Sequence, residues 1–350
     1  MAMENKPIAR ITALPAAMAM LLLVGTGCSL VNDEPRDCPA SLRVKFAYDY
    51  NIKFADAFAN EVGSINLWVF DREGKPVWNG EASGDMLRSP EFTIEVPLGE
   101  GEYDFVAWCG LKDNPGFKPD TYSPDRMEDL AVKLITHEAD GYADVSDSRL
   151  GSLYHGYVKS VDYRIDPYAP TDRLVCIPLV KDTNEIRVML QNLNGKEMDS
   201  SDFSCHMEIA DAFLEWDNLL SASSPQVRYL PWLTRYGITD TPTSPVAGRA
   251  TVTSVASLLY DFSTSRLTGE RPATLTVRRN TDGHDIIRIN LTDFLLMVKG
   301  HYGDMSDSEY LDRQDDYSVV FFIDDNSDWY QAAGIYINNW AVVPPQEEGI

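Results

Sequence analysis

Residues 98–110 read LGEGEYDFVAWCG. Leu98 to Gly101 is a glycine-rich turn, and beyond it the side chains alternate. Tyr103, Phe105, Ala107 and Cys109 fall on one face, with Val106 and Trp108 on the other. A period of two is the mark of a strand, because successive Cβ atoms point to opposite faces of a sheet. The flanking sequence repeats the pattern. LRVKFAYDY at 42–50 sets Leu42, Val44, Phe46, Tyr48 and Tyr50 on one face. SINLWVF at 64–70 is apolar on both faces towards its end, and Asp71 to Pro76 is a turn that returns into Pro76-Val77-Trp78. EFTIEVPL at 91–98 alternates again, and VDYRID at 161–166 reads as a closing strand. Residues 51–62 suit one short helix or a wide loop. Residues 111–155, with Pro115, Pro119 and Pro124, read as an irregular surface connection that serves as a contact region.

Asp166-Pro167-Tyr168-Ala169-Pro170 reads as a linker, and a second strand series follows it. LVCIPLV at 174–180 leads into NEIRVMLQNL at 184–193. Asn194-Gly195 is a hairpin signal, from which FSCHMEIA at 203–210 is expected to pair back. RATVTSVASLLY at 249–260, RPATLTVRRN at 271–280 and DIIRINL at 285–291 supply further strands, the last two joined at Asp282-Gly283. YSVVFFID at 317–324 and AGIYINNWAVV at 333–343 finish the chain. About fourteen short strands with few helices predict an all-β protein of two tandem antiparallel β-sandwich domains. The expected boundaries are 1–27 for a signal peptide, 28–40 for a tether, 41–168 for the first sandwich and 169–350 for the second.

The start of the chain carries a targeting signal. Lys6 and Arg10 precede an apolar run at 11–25, which ends at Gly25-Thr26-Gly27-Cys28. The run is too short for a membrane span, and small residues followed by Cys are what a bacterial lipoprotein signal requires. Cleavage before Cys28 and acylation of its thiol and new amine would hold the protein permanently on a membrane. Ser29 is compatible with outer-membrane sorting, and Asn32-Asp33-Glu34 with surface display. Four more cysteines, Cys38, Cys109, Cys176 and Cys205, allow three pairings in an exported chain. Pairing within each half, Cys38 with Cys109 and Cys176 with Cys205, is the simplest, against four buried thiols.

Thirty Lys and Arg against 54 Asp and Glu give a net charge of −24, the opposite of a phosphate-tracking surface, so no nucleic-acid partner is expected. No nucleophile elbow, zinc-protease helix or phosphate loop occurs. His137, His155, His206, His284 and His301 are not at ligand spacing, no C-x-x-C exists, and no metal or cofactor is expected. Asp324-x-Asn326-x-Asp328 opens like a calcium loop, but Trp329 and Ile335 stand where Gly and Glu are needed, so a polar hairpin loop is expected. Trp68, Trp78 and Trp108 read as core. Trp216, Trp232, Trp329 and Trp340 are less constrained, and PWLTRY at 231–236 is a candidate for displayed aromatics.

One resemblance joins these pieces. Cys28 is followed by Cys38-Pro39, LRVKFAYDYN, DAFANEV, INLWVFDREGKPV and LGEGEYDFVAWCGL. GSLYHG at 151–156, LVKDTNEIRVML, INLTDFLL, EYLDRQDDYSVVFFIDD and IYINNWAVV come next, in that order. This series resembles the FimB/Mfa-type family of fimbrial anchor or minor subunits of Bacteroidales. The resemblance implies transthyretin-like sandwiches, no enzyme activity, lipid attachment at Cys28 and fimbrial stalk subunits as partners. It implies an outer-membrane, surface-exposed protein that meets the stalk by strand pairing, at a sheet edge or through 335–343, unless that segment pairs within its own domain. Arg126 and Arg149 would be the arginines for proteolytic trimming. A tip or stalk subunit, a surface glycan-binding lipoprotein with exposed aromatic platforms, and a lipid-anchored hydrolase with converging carboxylates are the alternatives.

Overall fold

The alternation at residue 42 becomes strand β1 (Leu42–Ala47), with Leu42, Val44 and Phe46 buried and Arg43 and Lys45 exposed. The structure, a computed structural model, describes residues 41–165, 168, 172–192, 198–242 and 252–342. The expected signal at 1–27, the tether with Cys28 and Cys38, most of the linker at 166–170 and the Asn194-Gly195 turn lie outside the described residues.

The first half continues with β2 (Ser64–Asp71), β3 (Pro76–Ser83), β4 (Ile94–Val96) and β5 (Gly101–Cys109). The connection after β5 contains β6 (Phe117–Pro119), β7 (Val132–Leu134), β8 (His137–Ala139) and β9 (Tyr142–Ser146). The strands β10 (Tyr154–Tyr163) and β11 (Arg173–Lys181) follow. The second half holds β12 (Thr183–Asn192), β13 (Phe203–Ile209), β14 (Phe213–Leu214), β15 (Val227–Tyr229), β16 (Leu233–Pro242) and β17 (Val252–Ser265). It ends with β18 (Thr274–Arg279), β19 (His284–Asn290), β20 (Asp316–Ile323), β21 (Ile335–Ile337) and β22 (Trp340–Val342). Helices are short: one turn at Phe58–Glu61, then Leu291–Leu296 and Asp307–Arg313. Asn290 and Ser306 cap the last two by accepting the N–H of Asp293 and Glu309, as side-chain oxygens at this position do.

The first sheet has the order β3-β2-β5-β10-β11-β1-β4. β11 runs parallel to β1 over Arg173–Pro178 and antiparallel to β10 over Leu179–Lys181, so one strand serves both halves of the sheet. The inward faces enclose one core of Val44, Leu67, Phe105, Tyr154 and Ile177. This corrects the expected boundary at 168/169. LVCIPLV belongs to the first sandwich because its alternate residues Val175, Ile177 and Leu179 fill that core. The crossing is the single residue Asp182, between β11 and β12.

The second sandwich stacks two six-stranded sheets, β16-β17-β12-β20-β21-β22 and β19-β18-β13-β15-β9-β8. Val188, Leu258, Val319 and Ile337 from one face Cys205, Met207, Leu275 and Val277 from the other. Asp282-Gly283 makes the expected turn between β18 and β19, with Gly283 at φ 73°. The hairpin expected after β12 does not form. Both neighbours of β12 are already β17 and β20, while β13 pairs with β15 and β18 in the facing sheet. Most ladders are antiparallel, but β1–β11, β12–β20 and β15–β9 are parallel.

The connection after β5 is not the surface loop expected. It is wedged between the sandwiches, with Phe117, Met127, Leu130, Val132, Leu134 and Leu153 buried. These pack on the second face of β2 and β5, where Trp68, Phe70, Val106 and Trp108 point, and merge with the core of the second sandwich. The halves also lend each other strands. β9 extends the sheet of the second half by pairing with β15, and β14 of the second half pairs with β7. Gly110 starts the wedge at φ 90°, where a Cβ would stand 2.1 Å from the Ser152 carbonyl oxygen, so only glycine fits there.

Candidate functional site

No catalytic group assembles from the histidines. His155 is buried edge-on against Trp108 at 4.6 Å, and its Nε2 bonds the Trp216 carbonyl at 2.9 Å. Burial pushes the His155 and His206 imidazoles down to about 4, so both are neutral fillers of the fold at neutral pH. Among the described residues no group of three His, Cys, Asp or Glu side chains could hold a metal ion. The D-x-N-x-D loop spends its oxygens on a guanidinium. Arg279 donates to the Asp328 carboxylate at 2.8 Å and to the carbonyls of Asn326 and Ser327 at 3.1 and 3.3 Å. A positive side chain thus occupies the concave side of the loop.

The cysteines do not form the expected second pair. Cys176 is an exposed thiol on β11 of the first sandwich, Cys205 is buried on β13 of the second, and both are free. The reassignment of β11 to the first sheet is what separates them. Cys109 is buried on β5, and its expected partner Cys38 lies outside the described residues. Burial raises the Cys109 and Cys205 thiols well above their usual range, which keeps them protonated and unreactive.

Trp68 and Trp108 are core, as read, and Trp78 is partly buried against the first core. PWLTRY enters β16, and Trp232 is covered by the Arg149 guanidinium at 5.2 Å. Arg149 also pairs with Glu185 at 3.0 Å and Arg126 with Glu128 at 3.2 Å. Residues 335–343 do not make one long strand. β21 and β22 form a hairpin on β20, turned at Asn338 and Asn339 with φ of 48° and 71°.

Two features remain as functional surfaces. The first is the edge at β16. Its ladder with β17 runs from Leu233↔Asp261 to Pro242↔Val252, whereas β12 covers β17 only from Ser257 to Ser265. The far part of this two-stranded arm therefore projects past the sheet, and the outer edge of the ten-residue β16 has no neighbouring strand among the described residues. An unpaired edge of this length is a template for another strand.

The second is a cleft of about 830 Å³ between the halves. Residues 48–61 of the first half form one wall, and Tyr302, Gln314–Asp316, Ser318, Asn338 and Asn339 form the other. Its floor is ionic: Lys181 pairs with Asp315 and lies 3.8 Å from Glu61, which accepts the Tyr154 hydroxyl at 3.3 Å. The Arg313 guanidinium stacks on Tyr50 at 4.0 Å and on Phe54 at 4.8 Å, and the Ile52 N–H donates to the Arg313 carbonyl at 2.9 Å. Below this cleft is the buried crossing residue. Asp182 accepts from Asn218 Nδ2 at 2.8 Å and lies 3.8 Å from Arg266, which also binds Asp312 at 2.7 Å. Desolvation lifts the Asp182 carboxyl to about 7 despite Arg266. No motif in the sequence marks the cleft or Asp182, because both depend on contacts between the halves.

No curated protein matches the chain. A candidate adhesin from Bacteroides thetaiotaomicron is 31% identical, with 87% of this chain and 98% of that one covered and a TM-score of 0.74. A candidate polysaccharide-binding protein of the same organism is 27% identical, with 89% and 100% covered and a TM-score of 0.72. The fimbrial anchor protein Mfa2 of Porphyromonas gingivalis shares the fold at 16% identity, with 87% and 99% covered and a TM-score of 0.59. The family profile of fimbrillin-A associated anchor proteins Mfa1 and Mfa2 matches residues 34–343. With residues 34–343 matched, and the sheets of that stretch described above, the chain belongs to the family of fimbrillin-A associated anchor proteins.

Proposed function

We propose that this protein is the lipid-tethered anchor, or an accessory subunit, of a surface fimbrium, and that it holds the fibre in the outer membrane. The observation that carries the reading is the anchor-family match over residues 34–343. Cys28, at the end of its apolar run, is the attachment site in this reading, and its acyl chains supply the membrane affinity. No helix among the described residues is long and apolar enough to cross a membrane.

The stalk subunit is assigned to the outer edge of β16, by strand addition. That edge has no neighbouring strand among the described residues, so its backbone N–H and C=O groups can extend the sheet, and alternate side chains of an added strand would supply specificity. The edges at β4, β8 and β22 are three residues long, too short to hold a partner alone. The hairpin at 335–342 is used within its own sheet, and among the remaining edges β16, at ten residues, is longer than β3 with eight and β19 with seven, which makes it the better acceptor.

The test is to tag the C-terminus, solubilise the outer membrane gently and identify what copurifies, with the wild type and with Cys28→Ala. Fibre polymers should copurify with the wild type, and the variant should shed fibres into the medium. Recovery of the protein alone, from cells whose fibres are normal without it, overturns the anchor reading.

A further inference from the structure

We infer that the cleft between the two halves binds a neutral oligosaccharide, which would give this protein a ligand site separate from its fibre contact. The inference starts from which polar groups in the cleft are already used. Asp56 accepts the backbone N–H groups of Tyr48 and Phe58 at 2.9 and 3.0 Å. Glu61 and Asp315 share Lys181, and Glu185 accepts from Arg149 at 3.0 Å. Four of the five lining carboxylates are therefore engaged within the protein, which takes away most of the attraction for a cationic ligand.

The unclaimed groups are neutral. Tyr48 is only 2% exposed, yet it lines the cleft. Gln314, 7% exposed, has an unpartnered Oε1, and Asn338 an unpartnered Nδ2. Buried polar groups are nearly always paired, so a row of unpaired donors and acceptors in one concavity signals a missing partner. A ligand rich in hydroxyls, each both donor and acceptor, answers that set. The volume lies in the usual range for small-molecule sites.

Sugar rings also need a flat apolar surface for their C–H faces, and the rim offers one. Phe54 lies between the lining residues Lys53 and Ala55, is 59% exposed and has φ 53°. A bulky side chain in the left-handed region is an uncommon, strained arrangement that persists where the surroundings hold it. Arg313 backs the ring at 4.8 Å, and the ring's exposure leaves surface for a ligand. Polyanions are disfavoured by the acidic lining and by a net charge of −24. A divalent cation lacks a ligand set among the described residues.

The experiment titrates the full chain by calorimetry with α-mannan, levan, amylopectin, xyloglucan oligosaccharides and neutral mucin O-glycans, and with heparin as the polyanion. At least one neutral glycan should bind, and heparin should not compete. Tyr48→Phe removes only the hydroxyl of a lining residue and should weaken binding about fivefold to tenfold. Phe54→Gly removes the ring at a φ that glycine accepts and should weaken it at least as much. Tyr122→Ala, an exposed aromatic outside the cleft, should bind as the wild type does. All variants should melt with the wild type. The inference is overturned if no neutral glycan in the panel binds, if heparin displaces it, or if Tyr48→Phe and Phe54→Gly both bind normally. Fibre retention in the outer membrane is a separate readout, so loss of one result leaves the other standing.

Discussion

Asp182 and Asp211 are fully buried carboxyls, and each has an unusual proton affinity. Desolvation lifts Asp182 to about 7 and Asp211 to about 8, although Asp211 accepts the Tyr229 hydroxyl at 2.9 and 3.0 Å. A carboxyl raised above its unfolded value adds stability that is complete below about pH 4 and is lost as pH rises through the folded value. His155 and His206 are lowered to about 4, so their contribution is present above about 6.5 and is lost only as pH falls below it. Above about pH 6.5 the histidine contribution no longer changes, so the fall in stability from there to about pH 8 reports the two acids. Asp211→Asn keeps the acceptor for Tyr229 and mimics the protonated acid. In urea titrations the variant should match the wild type near pH 4 and exceed it by about 1–3 kcal/mol at pH 8 and above. An equal shift at every pH would show that protonation is not the cause. Nothing in the sequence marks these two among 54 acidic residues, since their affinities come from burial that only the assembled fold supplies.

Strands were legible where one chain segment carries its own pattern. The alternation at 42–47 survives as β1, with burial on the residues read as inward, whereas β5 is a strand as read but is buried on both faces from Phe105 to Cys109, and 316–323 is the strand β20. Pairing was less legible, because it depends on partners far along the chain. LVCIPLV is a strand as read, but its place between β1 and β10 could not be seen from its own residues. Asn194-Gly195 suggested a hairpin, yet two other strands had already claimed the edges of β12. The wedge after β5 was masked by its prolines, although Leu130, Val132 and Leu134 alternate and are all buried. β16 gives a sharper test of element-level reasoning. Backbone N–H groups along an edge strand alternate between the ladder and the open side. Proline at Arg235 and at Tyr236 should therefore behave oppositely. One removes a bond to β17 and lowers the melting temperature, and the other should leave stability near the wild type while abolishing copurification of the stalk subunit. If both stable and unstable variants retain the stalk, β16 is not the contact.

At the scale of the whole molecule the two sandwiches share a core and strands, so they should behave as one cooperative unit. Calorimetry is expected to give a single unfolding transition, and Val132→Asp, a charge placed between the halves, should lower the melting of all the sheets together. Two resolved transitions, with only one shifted by the variant, would mean that the halves are energetically separate. The lending of strands also bears on how the chain acquires its form as it is made. β9 waits for β15, β7 for β14, and β1 for β11, so the early segments leave the ribosome or a secretion channel before their partners exist. Long-range pairing of this kind is slow to form, and unpaired edges are sticky in the meantime. The first half is thus an unfinished object until residues near 230 have emerged, with the edges of β7 and β9 open for that interval.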